Sequence, residues 1–326
     1  MMITIHGFTG EHNSPYIRLS MLETFRLAKF RFTICAREHI RFPAYKGAAF
    51  RGGFGYAFKR VVCVVKSKTC DDCLLKQKCI YSYIFETPPP QDTEMLRLYP
   101  KVPHPFVIEP PITEKQTFEP GEEFSFHLVL IGNAIDYIPY FIYTFTELGK
   151  QGVGQGRGKY DLLHVEGMDL ENEAIQIYDH KTQTLTNHYP IIHAHQLNHQ
   201  PLTARLSSCV GENIATHNQI PSPSEGEDFV VSAQSNDEGG AKNSATMSSC
   251  KWGKETLKAD NHTNHLTISL LTPLRLRFDG HITDKIEFHV LIRNLLRRIS
   301  SLLYFHCGEK FQVDFKGLIE KAKAVN

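Results

Sequence analysis

Apolar and polar residues alternate along two stretches of the chain, and each stretch predicts a β-strand. Residues 25–34 and 123–131 place apolar side chains on most second positions, which is the period of a strand with one buried face. After the break at Pro43, apolar residues recur instead at helical spacing, at Phe50, Phe54, Phe58 and Val61. The pattern therefore predicts a strand, a helix and, farther along, another strand.

The predicted helix is rich in glycine, at Gly47, Gly52, Gly53 and Gly55. Each glycine costs about 1 kcal/mol of helix stability relative to alanine. We therefore expect another element, or a ligand, to lie close to the backbone of this helix.

The next segments complete one folding unit. We predict extended segments after residue 80, a helix over 135–150, a glycine-rich loop over 152–159 and a strand that begins at Tyr160. Together with the first strand and helix, this order is typical of a βαββαβ unit.

The chain changes character between residues 199 and 262, where Ser, Gly, Asn and acidic residues dominate. Such a segment buries too little apolar surface to offset its ordering entropy, so we expect a flexible linker or a surface excursion. A strand pattern and an amphipathic helix follow. We predict an α+β protein with tandem ferredoxin-like (βαββαβ) domains: residues 1–198 form the first, and residues 263–326 begin a second, incomplete one.

Composition narrows the class of protein. The chain has 326 residues, 41% of them hydrophobic and 22% charged, which is typical of a globular protein. No apolar run reaches the roughly 18 residues of a membrane helix, and the first residues lack the features of a secretory signal. We expect a cytoplasmic protein with no membrane partner. The net charge is +1, so any surface that attracts nucleic acid must be local.

Four of the eight cysteines form a small insert at residues 63–79 of the first domain: Cys63, Cys70, Cys73 and Cys79. The cytoplasm keeps thiols reduced, which argues against disulfides. Four thiolates at this spacing can surround a structural zinc ion. An iron–sulfur cluster uses the same ligands, and four unliganded thiols are the third alternative. A four-thiolate site is coordinatively closed, so we expect it to support folding and not catalysis.

Three stretches, in this order, carry a family resemblance: FPAYKGAAFRGGFGYAFKRVVC with the cysteine insert, GVGQGRGKYDLLHVEG, and TPLRLRFDGHI with the helix LRRISSLLYFHCGEKF after it. Together they resemble the CRISPR-associated endoribonucleases of the RAMP superfamily, which process precursor CRISPR RNA. Similar members continue with an arginine-containing segment and a further glycine-rich strand, which this sequence does not contain.

The resemblance implies two ferredoxin-like domains, CRISPR repeat RNA as the partner, and delivery of guide RNA to the subunits of a CRISPR effector complex. It also implies one metal-independent cut. The ribose 2′-hydroxyl attacks the adjacent phosphate and leaves a 2′,3′-cyclic phosphate and a 5′-hydroxyl. Neither a metal nor a small-molecule cofactor is expected in catalysis.

This chemistry requires a group that moves protons and a cation near the phosphate. Histidine suits the first role, and the family often carries its essential histidine near the first strand–helix junction, where His39 lies. Tyr45 could orient or protonate an oxygen, and Lys46 and Arg51 could stabilise charge on the phosphate. The simpler alternatives are an exposed histidine at a strand end and a solvated helix face.

The glycine-rich loop is the first candidate for contact with RNA. It offers unobstructed backbone N–H groups and two cations, from Gly152, Gly154, Gly156, Arg157, Gly158 and Lys159. A mobile helix–strand connection is the alternative. In the second domain, Arg275 and Arg277 alternate along a strand, and Arg293 and Arg297 lie one helical turn apart. The resemblance implies that these arginines line a basic cleft for RNA.

Two other functions compete with the endoribonuclease. One is a non-catalytic RAMP subunit that binds the repeat-derived tag of CRISPR RNA. The other is a zinc-stabilised nucleic-acid binder with no CRISPR role. Cleavage of repeat RNA in EDTA distinguishes the enzyme from the first, and a preference for repeat RNA over random RNA excludes the second.

Overall fold

A computed structural model describes residues 22–66, 69–90, 93, 102–198, 274–283 and 285–325. The strands are β1 (Arg26–Ala36), β2 (Ile40–Arg41), β3 (Phe106–Glu109), β4 (Thr117–Phe118), β5 (Glu123–Ile131), β6 (Tyr160–Met168), β7 (Ala174–Asp179), β8 (Thr184–Leu185), β9 (Ile192–His193), β10 (Leu276–Phe278) and β11 (His281–Thr283). The α-helices are α1 (Gly47–Val62), α2 (Ile138–Gln151), α3 (Phe288–Leu302) and α4 (Phe315–Lys323). None of these described helices is long and apolar enough to cross a membrane.

The main sheet is antiparallel and has the strand order β3-β5-β1-β6-β7-β8, with β9 paired to β1. Its first four strands, with α1 after β1 and α2 after β5, reproduce the order of a βαββαβ unit. The short strands β2 and β4 form a separate pair. The α+β class is therefore confirmed, and the first domain has the ferredoxin-like strand order.

The apolar side chains that alternate along the predicted strands form the core. Phe30, Phe32 and Ile34 of β1 are fully buried, and the ring of Phe32 packs at 5.1 Å on Phe145 of α2. On α1, the ring of Phe54 stacks at 5.0 Å on Phe141 and at 5.0 Å on Phe145 of α2. This aromatic packing fixes α1 and α2 on one face of the sheet.

The glycines of α1 admit close neighbours, as expected. A Cβ on Gly53 would lie 3.1 Å from the Leu148 side chain of α2, and one on Gly55 would overlap the ring of Phe85. Phe85 belongs to a π-helical turn, Ser82–Glu86, so the prediction of purely extended segments after residue 80 was wrong there. The second strand of the unit is β3, which lies in a proline-rich stretch.

The C-terminal part is a hairpin and two helices. The hairpin β10–β11 packs on α3, and α3 packs on α4. Leu303 and Phe311 share an apolar cluster with Leu22 and Ala194 of the first domain. The predicted linker, residues 199–262, lies outside the described residues, and residues 274–283 and 285–325 do not by themselves form a second βαββαβ unit. The tandem arrangement stays a prediction.

His306 fastens this C-terminal part to the first domain. It is buried, with Nδ1 3.2 Å from the hydroxyl of Tyr83 and Nε2 2.8 Å from the carbonyl oxygen of Pro103. Burial lowers the pKa of His306. The backbone carbonyl of His306 also occupies the place that a Cβ on Gly132 would need.

Candidate functional site

The glycine-rich loop between α2 and β6 has a compact and unusual backbone. Gly152, Gly154 and Gly156 have φ angles of 84°, 76° and 82°, and Arg157 has a φ of 56°. Val153 and Gly158 form a bridge across the loop. Positive φ angles favour glycine, so the sequence of the loop is matched to this turn.

The loop lies directly against the segment that carries His39. The Gln155 amide donates to the Arg41 carbonyl at 2.7 Å, and the Arg37 amide donates to the Lys159 carbonyl at 2.9 Å. A Cβ on Gly158 would overlap the carbonyl oxygen of His39. The structure therefore brings together the predicted loop and the predicted catalytic histidine, two features that are far apart in the sequence.

The side chain of His39 is open to solvent and has an acidic neighbour. Its Nε2 lies 3.4 Å from Oε1 of Glu119, and the two side chains are 55% and 62% exposed. A carboxylate beside an imidazole can fix the orientation of the ring. Nothing in the local sequence singles out Glu119, because only the pairing of β2 with β4 brings residue 119 near residue 39.

A groove of about 350 Å³ runs along the loop. Pro43 and two small residues of α1, Ala49 and Gly53, line one side, and loop residues 152–155 and 157 line the other. Ala49 and Gly53 are one helical turn apart, so both face the groove from the same side of α1. Gly53 therefore both lines the groove and allows Leu148 of α2 to pack closely against α1.

The other predicted catalytic residues lie in different environments. Tyr45 is 45% exposed, and its ring lies beside the Gly47 backbone. Lys46 is buried, its Nζ donates to the Thr113 carbonyl at 2.6 Å, and desolvation lowers its pKa. Arg51 lies two positions from both Ala49 and Gly53, which places it on the side of α1 away from the groove. Of the four predicted catalytic residues, His39 is the one whose backbone contacts the loop in the part of the chain that the structure describes.

The charges around the loop are mostly paired. Lys159 Nζ lies 3.0 Å from Glu38 Oε1, and hydrogen bonds from Lys159 lower the pKa of Glu38. Arg37 lies 3.5 Å from Asp161. Arg157, in contrast, is exposed and makes no ion pair with any residue that the structure describes. Arg157 is therefore the cation of the loop that is available to a phosphate.

The four predicted RNA-binding arginines of the C-terminal part lie around the β10–β11 hairpin and α3. Arg275, Arg277 and Arg297 are exposed. Arg293 lies with its guanidinium 5.8 Å from the ring of Phe278, and its buried Nε has no hydrogen-bond partner among the described residues. The side-chain Nδ2 of Asn294, on α3, donates a 3.0 Å hydrogen bond to the backbone carbonyl of Arg277. The C-terminal part therefore presents Arg275, Arg277 and Arg297 to solvent, whereas Arg293 is partly buried.

The cysteine insert does not form a metal site in this structure. Cys63, Cys70, Cys73 and Cys79 are half-buried free thiols, and Cys70 and Cys79 pack against the core. Among the described residues, no group of three or more His, Cys, Asp or Glu side chains is arranged to hold a metal ion. The present geometry does not fit a four-thiolate site, and structural zinc stays a prediction.

Fold and site together define an α+β protein with a ferredoxin-like first domain and a groove beside a glycine-rich loop. A family model described as AF_1859_N, N-terminal domain, matches residues 25–190, and the chain belongs to this family. The match includes His39, the cysteine insert and the loop.

A curated relative from Archaeoglobus fulgidus, described as an uncharacterized protein, is 26% identical over 145 residues. The aligned part is 44% of this chain and 47% of the relative, so the chain spans about half the length of the curated relative it matches. Neither description states an activity.

Proposed function

We propose that this chain is a metal-independent endoribonuclease that binds CRISPR repeat RNA and cleaves precursor CRISPR RNA. The observation that carries the proposal is the contact between the loop and the His39 segment, through the Arg41–Gln155 hydrogen bond of 2.7 Å and the close approach of Gly158 to the His39 carbonyl. This contact holds the backbone of His39, whose side chain is exposed, against the loop that carries the exposed cation Arg157.

In the proposed reaction, His39 accepts the proton of a ribose 2′-hydroxyl as that oxygen attacks the adjacent phosphorus. The bond from phosphorus to the 5′-oxygen breaks, and the leaving oxygen takes up a proton. The products are a 2′,3′-cyclic phosphate and a 5′-hydroxyl, and no other reactant enters. Glu119 acts as a positioning residue for His39, and Arg157 contacts the phosphate.

The non-catalytic RAMP subunit is the second candidate, and the paired charges of the site favour it. Glu38, Asp161 and Glu119 each accompany a cation or the imidazole. These acids reduce the positive potential that RNA would meet at the loop. A subunit that binds RNA weakly here and more strongly elsewhere would tolerate them.

The test is incubation of the full chain with RNA that contains the cognate repeat, in EDTA. We expect a single cut with a 5′-hydroxyl end that polynucleotide kinase phosphorylates directly. His39→Ala should slow cleavage by about 100-fold or more, the usual contribution of a general acid or base. His188→Ala is the matched control, because His188 is an exposed histidine that follows β8 in the sequence and is not part of the site.

Each result distinguishes the candidates. Unchanged cleavage by His39→Ala would exclude His39 as the general base, but the protein would still be an endoribonuclease. Tight, repeat-specific binding without cleavage favours the non-catalytic subunit. Equal affinity for repeat RNA and for random RNA of the same length contradicts both.

A further inference from the structure

The hairpin β10–β11 carries an exposed aromatic ring at its edge. Phe278 is the last residue of β10 and is 40% exposed. Leu276, two positions earlier, is buried in a cluster with Val290 and Leu291 of α3. Side chains two positions apart share one face of a strand, so Phe278 lies on the face of the hairpin that packs on α3. Its ring stands at the border of that packed surface, where part of it stays open to solvent.

Two side chains of α3 hold the ring of Phe278. The ring of His289 meets it edge-on, with the centroids 5.4 Å apart and an angle of 85° between the planes. The guanidinium of Arg293 lies 5.8 Å from the centre of the Phe278 ring. His289 is itself oriented by Glu287, whose Oε2 lies 3.3 Å from its Nδ1. The contacts from one turn of helix therefore fix the direction of an aromatic ring that is still partly exposed.

Hydrogen bonds hold the strand that carries the ring. The Nδ2 of Asn294 donates to the carbonyl of Arg277 at 3.0 Å and to the carbonyl of Val290 at 2.8 Å. The amide of Arg277 donates in turn to Oδ1 of Asn294 at 3.4 Å. The residue before Phe278 is thus fastened to α3 from both of its backbone groups. A ring on such a support loses little freedom when a ligand stacks on it.

The charge around the ring favours an anionic ligand. Residues 274–298 contain six arginine or lysine residues and three acidic ones, although the net charge of the whole chain is +1. Arg297 is exposed and lies one helical turn beyond Arg293, on the side of α3 that holds the ring. It forms no ion pair with any residue that the structure describes. An open aromatic ring beside an unpaired cation is a combination with which proteins bind single-stranded nucleic acid.

The chemistry of the ring identifies what stacks on it. Every nucleobase has a π-face, so an aromatic ring can stack on an unpaired base of any identity while nearby cations contact the phosphates. An acidic peptide would satisfy the cations but would leave the ring without a flat partner. A duplex keeps its bases stacked on one another, so the base must be unpaired.

We propose that Phe278 stacks on one unpaired base of a single-stranded RNA and that Arg297 contacts a phosphate of the same strand. The choice of RNA as the ligand rests on the proposed function. The stacking itself requires neither a CRISPR repeat nor a cut, so it can be tested by binding alone.

The test measures the affinity of the full chain for a short, fluorescein-labelled oligouridine by fluorescence anisotropy. Phe278→Leu keeps an apolar side chain without a ring and should weaken binding at least about fivefold, the usual effect of removing a stacked aromatic ring. Phe278→Tyr keeps the ring and should bind like wild type. Ile282→Ala is the matched control, because Ile282 is an exposed apolar residue that pairs with Arg277 across the same hairpin. It should also bind like wild type.

A second strand separates stacking from charge. An oligonucleotide of the same length with tetrahydrofuran in place of every base keeps the phosphates but has nothing to stack. Wild type should bind it at least about fivefold more weakly than oligouridine, and Phe278→Leu should bind it as wild type does. Arg297→Gln should lower the slope of log K against log salt by about one, whereas Phe278→Leu should keep the wild-type slope, because stacking releases no counterions.

Equal affinity of wild type for the two strands overturns the proposal, and this comparison decides the question if Phe278→Leu does not fold. An equal loss in Phe278→Leu and Ile282→Ala overturns it as well. Cleavage of repeat RNA by a Phe278→Leu variant whose affinity for oligouridine is unchanged rejects the stacking and leaves the endoribonuclease standing. Binding that depends on Phe278, without cleavage of repeat RNA, supports the stacking and contradicts the enzyme.

Discussion

The amide of Gln155 donates a 2.7 Å hydrogen bond to the carbonyl oxygen of Arg41, and this bond holds the glycine-rich loop against β2. The approach is close enough that a Cβ on Gly154 would overlap the same carbonyl. The position of the loop beside His39 therefore depends on main-chain contacts, which a change of side chain at the surface does not alter.

Alanine substitutions in the loop should distinguish the cost of a positive φ angle from the cost of steric overlap with β2. Gly154 and Gly156 have similar φ angles, 76° and 82°, but a Cβ on Gly156 would have no atom of a described residue within 4 Å. Gly156→Ala should lower the free energy of unfolding by about 1 kcal/mol, the cost of a positive φ. Gly154→Ala should cost at least about 2 kcal/mol, because the Arg41 backbone must also move. Urea denaturation of both variants measures the difference, and equal costs would contradict the close packing.

Arg157→Gln should weaken RNA binding without changing its sequence preference. An exposed arginine that contacts phosphate adds affinity for any sequence, and its loss lowers the slope of log K against log salt by about one. Fluorescence anisotropy at several KCl concentrations measures this slope. Lys181→Gln is the control. Lys181 is exposed in the turn after β7, and its substitution removes the same positive charge. If wild type and Arg157→Gln show the same salt slope, Arg157 does not contact the RNA.

His127 should make the protein sensitive to acid. Burial, and then Lys29, lower the pKa of His127 from 6.5 to about 4. Below pH 6.5 the unfolded chain binds a proton that the folded chain does not, so stability falls as the pH drops toward 4. The loss from this residue is at most about 3 kcal/mol.

The measurement is urea denaturation of wild type and His127→Gln between pH 7 and pH 4. The difference in unfolding free energy between the two proteins should change across this range as wild type loses its His127 contribution. His188→Gln, at an exposed position, should keep the wild-type pH dependence. A parallel pH dependence for wild type and His127→Gln would show that His127 titrates normally.

The described positions of the four cysteines do not form a metal site, so zinc binding requires the insert to bring its thiols together. If it does so, the protein purified without chelator should contain one zinc ion per chain. Elemental analysis by mass spectrometry measures the ratio. Cys73→Ser should lower it, whereas Cys35→Ser, at a thiol outside the insert, should not. Iron in place of zinc would indicate a cluster, and a metal-free protein would mean that the four thiols are unliganded.

Long periodic segments were predictable from the sequence, and short or irregular ones were not. β1, α1, β5 and β6 carry apolar residues at a regular period that their burial requires, so pattern alone located them. β3 has only Phe106–Glu109 and lies among prolines, so its pairing with β5 decides its conformation. The turn Ser82–Glu86 follows the packing of Phe85 against α1, a tertiary contact that a local window does not contain.

The site was predictable only in its parts. The loop was visible as a run of glycines, and His39 stood at a strand–helix junction, but their contact depends on the sheet. Glu119 reaches His39 through the pairing of β2 with β4, which no local pattern signals. The direction of Arg51, in contrast, follows from helical geometry once the groove side of α1 is known.

The meeting of Gly132 with the carbonyl of His306 has a consequence for tolerated variation. A rotating side chain can yield to a new neighbour more easily than a main-chain oxygen can, so a Cβ at position 132 requires the backbone at His306 to shift. Position 132 thus adds a main-chain constraint on the alignment of the two parts, beside the His306 hydrogen bonds and the apolar cluster around Leu303.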